Sequence, residues 1–222
     1  MPVSLLVVAP HADDETLGCG GLLLREASAG HELHWLLLTS MSTEAGWPED
    51  RVALRTREIE AVHAAYGFAS RSELGYAPAT LDTVSQAELV GRIGEVIGRV
   101  AAEDVYVPWR GDTHSDHRVT FDASCAAAKG FRQPSVRRVL AYETPSETDF
   151  GLDPDGTFAP NVFVDIAGHL DRKLEVLSLY DGEIGPHPFP RGPRAVAALA
   201  DVRGAAAGRE HAEAFRLLRE VR

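Results

Sequence analysis

The run Ser4-Leu5-Leu6-Val7-Val8-Ala9 is unbroken by any charge, and it stops abruptly in Pro10-His11-Ala12-Asp13-Asp14-Glu15. A short apolar run without polar alternation is what a strand buried on both faces requires, and such strands belong to parallel sheets covered by helices. The ionisable groups crowded against its end are harder to accommodate. Burying carboxylates or imidazoles without partners costs about several kcal/mol each, so they must pair with one another, with a distant segment, or with a cation. In open parallel sheets, ligands gather at the carboxyl ends of strands, where this cluster stands.

The alternation continues downstream. A helix is expected from about Leu17 to Ala29, stopped by Gly30, then a second strand over Leu33–Thr39. A helix from about Val52 to Tyr66 ends at Gly67, and a weak strand follows near Leu74–Tyr76. Leu89, Val90, Ile93, Val96, Ile97 and Val100 recur at helical spacing. Val105–Trp109 reads as a strand, Arg118–Lys129 as a helix and Val139–Glu143 as another strand. Beyond this the pattern loosens into Pro- and Gly-rich stretches, with a short strand over Val162–Ile166 and helices near Leu170–Tyr180 and Arg209–Val221. The whole predicts one α/β Rossmann-like domain over residues 1–222: a mostly parallel sheet with helices on both faces. A less regular C-terminal portion is expected to close over the site.

A second polar cluster, Asp112-Thr113-His114-Ser115-Asp116-His117, directly follows the strand ending at Trp109. It too lies at a carboxyl end, so the fold can bring the two clusters together. One imidazole and one carboxylate from the first loop, with one imidazole from the second, make three protein ligands. That is the count of a catalytic zinc, whose fourth position is left to water. Taken singly, each cluster is also compatible with a capped helix start and surface histidines. The chain carries its own control in His31-Glu32-Leu33-His34, which begins a strand and therefore belongs at the opposite edge of the sheet. Gly18, Gly20 and Gly21 do not match G-x-G-x-x-G, and acidic residues fill the turn where a pyrophosphate would sit, so no dinucleotide is expected.

The segments PHADDETLGCGG and THSDHR together resemble the PIG-L/LmbE family of metal-dependent N-deacetylases, which act on N-acetylglucosaminyl lipids, mycothiol and antibiotic precursors and similar amino sugars. Arg55-x-x-Glu58, Tyr66-Gly67-Phe68, Asn161–Ile166, Lys173-Leu174-Glu175 and Ala212–Phe215 resemble further landmarks of that family. The resemblance implies His11, Asp14 and His117 as ligands of Zn²⁺, and Asp13 as the general base. It implies His114 as the group that stabilises the oxyanion or protonates the leaving amine, oriented by Asp116. His/Asp ligation also suits Fe²⁺, Co²⁺ or Mn²⁺. The residue chemistry agrees, since an amide is a poor electrophile that needs an activated water, a proton acceptor and a proton donor. Were the backbone extended at Asp13-Asp14, the two side chains would point in opposite directions and serve different tasks.

Arg55 and Arg57 are candidates to hold substrate, the competing reading being a solvated helix face with Arg55 paired to Glu58. Glu143, at another strand end, is a further candidate contact. The formal charge of −11 argues against nucleic acid or anionic lipid as non-specific partners. Two widely spaced cysteines, no basic n-region and no apolar run near the ~20 residues of a membrane span fit a cytoplasmic protein. The expected partner is a small N-acetylated amino sugar or its conjugate, and a homo-oligomer is compatible with this composition. An amidase of a larger sugar conjugate would share this centre. A metal-bearing protein that holds a sugar without cleaving it would have no use for Asp13 and His114.

Overall fold

The computed structural model describes residues 2–152 and 156–222. Among the described residues, strand β1 (Ser4–Ala9) is the third strand of a seven-stranded sheet and the central one of its five parallel strands. Helix α1 (Asp14–Ser28) carries the chain to β2 (Glu32–Thr39), and α2 (Glu49–Tyr66) to β3 (Ser70–Tyr76). The chain then crosses back through α3 (Gln86–Arg99) to β4 (Asp104–Pro108), and through α4 (Ser115–Ala127) to β5 (Arg138–Tyr142). The sheet order is β3-β2-β1-β4-β5, all parallel, extended by β7 (Ala212–Glu220) and then β6 (Val162–Asp165). β7 runs antiparallel to both of its neighbours. The strand order reverses between β1 and β4, and the crevice beyond their carboxyl ends is where such folds bind ligands.

β1 shows why the sheet must be covered twice. Leu5, Val7 and Ala9 join the core on the side of α1 and α2, whereas Leu6 and Val8 join the core beneath α3 and α4. Among the described residues no helix is long and apolar enough to cross a membrane.

The C-terminal portion is more regular than the sequence pattern implies. The helix expected over 209–221 is strand β7. Its Ala, Glu, Leu and Arg residues are strong helix formers, but β5 offers an unpaired edge, and strand pairing there overrides propensity. The helix expected near Leu170–Tyr180 is α5 (Leu170–Leu177), packed on α1, and a helix not expected from sequence, α6 (Pro193–Ala207), packs against β7. α6 has the marks of a helix that the Pro-rich context obscures: Pro193 in the first turn and a left-handed Gly208 at its end. The glycines of α1 serve packing. A Cβ at Gly18 would sit 2.3 Å from the ring of fully buried Tyr142, whose hydroxyl is tied to the Val8 carbonyl.

Gly18→Ala is therefore expected to destabilise the protein by about 1–3 kcal/mol, the usual cost of overpacking, despite the better helix propensity of Ala. Gly91→Ala, at an exposed α3 position where a Cβ meets nothing within 4 Å, is expected to stabilise by about 0.5–1 kcal/mol. Urea unfolding of the two variants checks the opposite signs.

Candidate active site

Helix α1 begins at Asp14, inside the acidic cluster, so Asp13 is its N-cap residue and Asp14 and Glu15 fill its first turn. Carboxylates are favoured there by the exposed N–H groups and the helix dipole. α4 likewise begins at Ser115, and the Nδ1 atom of N-cap His114 accepts the Asp116 backbone N–H at 3.1 Å. The two helix starts face each other across the strand reversal.

Their side chains converge on one carboxylate oxygen. Asp14 Oδ2 lies 3.3 Å from His11 Nδ1 and 3.3 Å from His117 Nε2, and it accepts the His11 backbone N–H at 2.8 Å. The far nitrogen of each imidazole is held by a second carboxylate. His11 Nε2 is 3.0 Å from Asp116 Oδ2, and His117 Nδ1 is 2.8 Å from Asp112 Oδ2. Metal-ligating histidines are commonly backed by a carboxylate in this manner. His11, Asp14 and His117 bring their ligand atoms within 4.8 Å of one another. His11, His114 and Asp116 meet the same distance test, but there His114 Nδ1 is already taken by a backbone N–H.

The electrostatics mark a place built for positive charge. Burial opposes charging of His11, yet Asp116 and Asp14 push it up to about 9. His117 is also raised, by Asp14 and Asp112 against its burial. Burial would raise Asp14, but the two imidazoles hold it far below the usual carboxylate range. Asp13 turns the other way: burial, then the adjacent Asp14 charge, push it up to about 8 while Arg191 opposes. Burial and the neighbouring His11 lower His114.

These groups line a cleft of about 250 Å³ that opens to solvent. Its apolar wall includes Leu37, Met41, Trp47 and Ile59, and Glu183 and Arg191 close it from the loop preceding α6. Arg191 Nη1 reaches Asp13 Oδ2 at 3.0 Å and Glu183 Oε2 at 3.2 Å.

The sequence profile of the PIG-L family, described as GlcNAc-PI de-N-acetylase, matches residues 6–128, more than half of the chain. The chain belongs to this family. It is 27% identical to the diacetylchitobiose deacetylase of Thermococcus kodakarensis over 96% of its own length and 82% of that protein's. It is 28% identical to the 2'-N-acetylparomamine deacetylase of Streptomyces fradiae, over 80% of this chain and 72% of the other. Among solved structures, the conserved protein TT1542 from Thermus thermophilus matches with a TM-score of 0.78 and 28% identity, covering 99% of this chain and 96% of that one.

In this PIG-L chain the cleft brings together His11, Asp13, Asp14, Arg55, His114 and His117, six of the residues singled out from sequence. Asp116 stands close by in a different role: its backbone orients His114, while its carboxylate holds His11 and accepts the Ala79 and Leu81 N–H groups at 2.7 and 3.1 Å. Glu143 does not line the cleft. Its carboxylate is clamped by Arg203 at 2.7 and 2.6 Å and borders a separate small cavity beside α6. Arg57 is exposed and lies outside the lining. His34 is buried away from the cleft against Ser70.

Sequence reasoning missed the use of Asp112, although it stands within the second motif. It also missed Glu183 and Arg191, which no local pattern announces because Arg55 and Asp13, the residues that tie them to the cleft, lie over a hundred residues away. Arg55 is buried and already engaged, as its guanidinium contacts the Ala12 carbonyl at 2.8 Å, Glu58 at 3.2 Å and Glu183. Arg55→Met is expected to lower stability by about 3 kcal/mol, because Glu58 would be left buried without its cation and Glu183 with Arg191 alone. Urea unfolding measures this; a normal midpoint combined with a raised KM would restore Arg55 as a substrate contact.

Proposed function

We propose that the chain hydrolyses the acetamide of an N-acetylated amino sugar with the help of one divalent cation, zinc fitting the donor set best. The observation that carries this reading is the meeting of two carboxylate-backed imidazoles and the Asp14 carboxylate beside a second, separately held carboxylate, Asp13. The family's description as a GlcNAc-PI de-N-acetylase and the names of both deacetylase relatives support the substrate class. His11, Asp14 and His117 would hold the ion, which can replace the protons those imidazoles carry in the protein alone. When bound, such an ion supplies a water of lowered pKa and polarises the amide carbonyl.

The chain's own groups then divide the proton traffic. Asp13 faces the cleft but turns away from the ligand triad toward Arg191, so it is free to accept a proton from water. Burial raises its basicity into the range useful near neutral pH. His114 accepts a backbone N–H through Nδ1, so in its neutral form the hydrogen sits on Nε2. That N–H is available to the oxyanion, and the proton that Asp13 takes from water, passed on to the departing nitrogen, lets the amine leave. Asp112 and Asp116 fix the ring planes of His117 and His11. The apolar wall limits water in the cleft, and a sugar fits against it with the rest of a conjugate projecting through the mouth.

Acetate and free amine are expected to appear together from an N-acetylhexosamine conjugate, and a chelator is expected to stop both. His117→Ala and Asp14→Ala are expected to lose the ion, while His34→Ala retains it; equal loss in all three removes the ligand assignment. Asp13→Asn is expected to keep the ion but to fall about 10²–10⁴-fold in rate, the worth of general base catalysis. Metal content measured alongside acetate release separates the two carboxylates. A fully active Asp13→Asn enzyme would show that the proton acceptor lies elsewhere.

A further inference from the structure

Two carboxylates of the cleft, Glu147 and Glu183, have no part in the mechanism, and only Glu183 is ion-paired. Asp14 faces two imidazoles, Asp13 pairs with Arg191, and Glu183 pairs with both Arg191 and Arg55. Glu147 has no cation within ion-pair distance among the described residues. Its Oε2 is sealed from solvent without a hydrogen-bond partner, and its Oε1 has only Ser146 Oγ at 3.5 Å. On the same turn, the Thr144 hydroxyl lines the cleft, is fully buried and also lacks a partner. The third unpartnered polar atom of the cleft is Arg191 Nε, on a side chain already committed to Asp13 and Glu183.

Glu147 is held in a fixed position relative to the catalytic groups. Its carbonyl accepts the Thr113 N–H at 3.1 Å, beside the second metal-ligand motif. Thr148 donates its hydroxyl to Asp112 Oδ1 at 2.7 Å, and the other oxygen of Asp112 holds His117. Ser146 adopts a left-handed φ of 79° within this turn, a conformation that a non-glycine residue adopts at an energetic cost. A carboxylate carried on so firmly held a backbone at a cleft wall, next to a buried hydroxyl and with only the distant Ser146 hydroxyl as donor, asks for a ligand that donates hydrogen bonds and carries positive charge.

From the Glu147 carboxylate and Thr144 hydroxyl we infer a subsite for an ammonium group: the substrate carries, besides its acetamide, a second and free amine. This rests on the deacetylase reading above and narrows it to partly N-acetylated, cationic amino sugars. An ammonium has donors and no acceptor, matching a wall that offers acceptors. The net charge of −11 favours the approach of such a substrate over that of an anionic one.

The test uses two β-glycosides of N-acetylglucosamine, 2-aminoethyl and 2-hydroxyethyl, which differ only in ammonium for hydroxyl. The enzyme is expected to prefer the aminoethyl glycoside by about tenfold in kcat/KM, expressed mainly in KM, as befits one charge-assisted contact. Calorimetric titration of the same pair is expected to give the same ratio, shrinking as salt is raised. Glu147→Gln keeps the side-chain shape and is expected to bring the ratio to about one in both measurements, with Thr144→Val reducing it less. No preference in the unaltered enzyme overturns the inference. So does a Glu147→Gln variant that weakens both glycosides equally, since the carboxylate would then take a hydroxyl or act in the chemistry. If neither glycoside releases acetate, the deacetylase reading falls, while the titrations still decide the ammonium subsite.

Discussion

Compensation of buried charge at the ends of β1 and β4 is the constraint on which the rest of this structure depends. Asp13, Asp14, Glu15, Asp112, Asp116 and His117 are all nearly sealed from solvent. Each needs donors or counter-charges, and few come from its own neighbours in sequence. The short turn at Leu81 offers two N–H groups to Asp116, and Thr148 reaches Asp112 from the loop after β5. Tyr180 donates to Glu15 from the end of α5, and Arg191 reaches Asp13 from the loop before α6. The connections that look irregular in sequence are thus the ones that make the strand ends tenable. Burial pushes Glu15 up to about 7 even with the hydrogen bonds of Thr16 and Tyr180, so the compensation is only partial.

This division explains which parts were legible beforehand. Strands β1, β2, β4 and β5 could be read because each is buried on both faces and carries a continuous apolar run. The two motifs could be read because local spacing at strand ends is itself the signal. His31 and His34 could be set aside by the same logic, for they stand at the amino end of β2. What could not be read depends on long-range partners. AEAFRLLRE has the composition of a helix and becomes a strand only because β5 has a free edge beside it. Glu213 within that strand then accepts the Gly21 and Leu22 N–H groups and pairs with buried Lys173, a set of contacts no window of sequence contains.

Asp116 and Glu143 show the same limit at the level of single residues. The family resemblance implied that Asp116 orients His114. The first turn of α4 gives that contact to the Asp116 backbone N–H and directs the carboxylate toward His11. Glu143 does follow a strand end, but Arg203 on α6 draws it to the other side of α1. Position at a carboxyl end brings a residue near the crevice; the nearest available counter-charge decides whether it enters.

The adjacent Asp13 and Asp14 show what that constraint demands of the backbone. Their division of labour was expected from the alternation of an extended strand, yet the backbone there is not extended. Asp13 has φ 140° and ψ −26°, a region that L-residues avoid, at a cost of about 1–3 kcal/mol. The strain is held in place from several sides: Thr16 and Leu17 donate to the Asp13 carbonyl, Glu15 accepts its N–H, and Arg191 holds its carboxylate. The distorted residue lets the chain leave the strand and enter α1 within one step, turning Asp14 toward the imidazoles and Asp13 toward the cleft. Glycine would adopt this conformation without strain but would bring no carboxylate. An aspartate kept at such a position is a local sacrifice of stability, and the group gained by it is the proposed proton acceptor beside His11, Asp14 and His117.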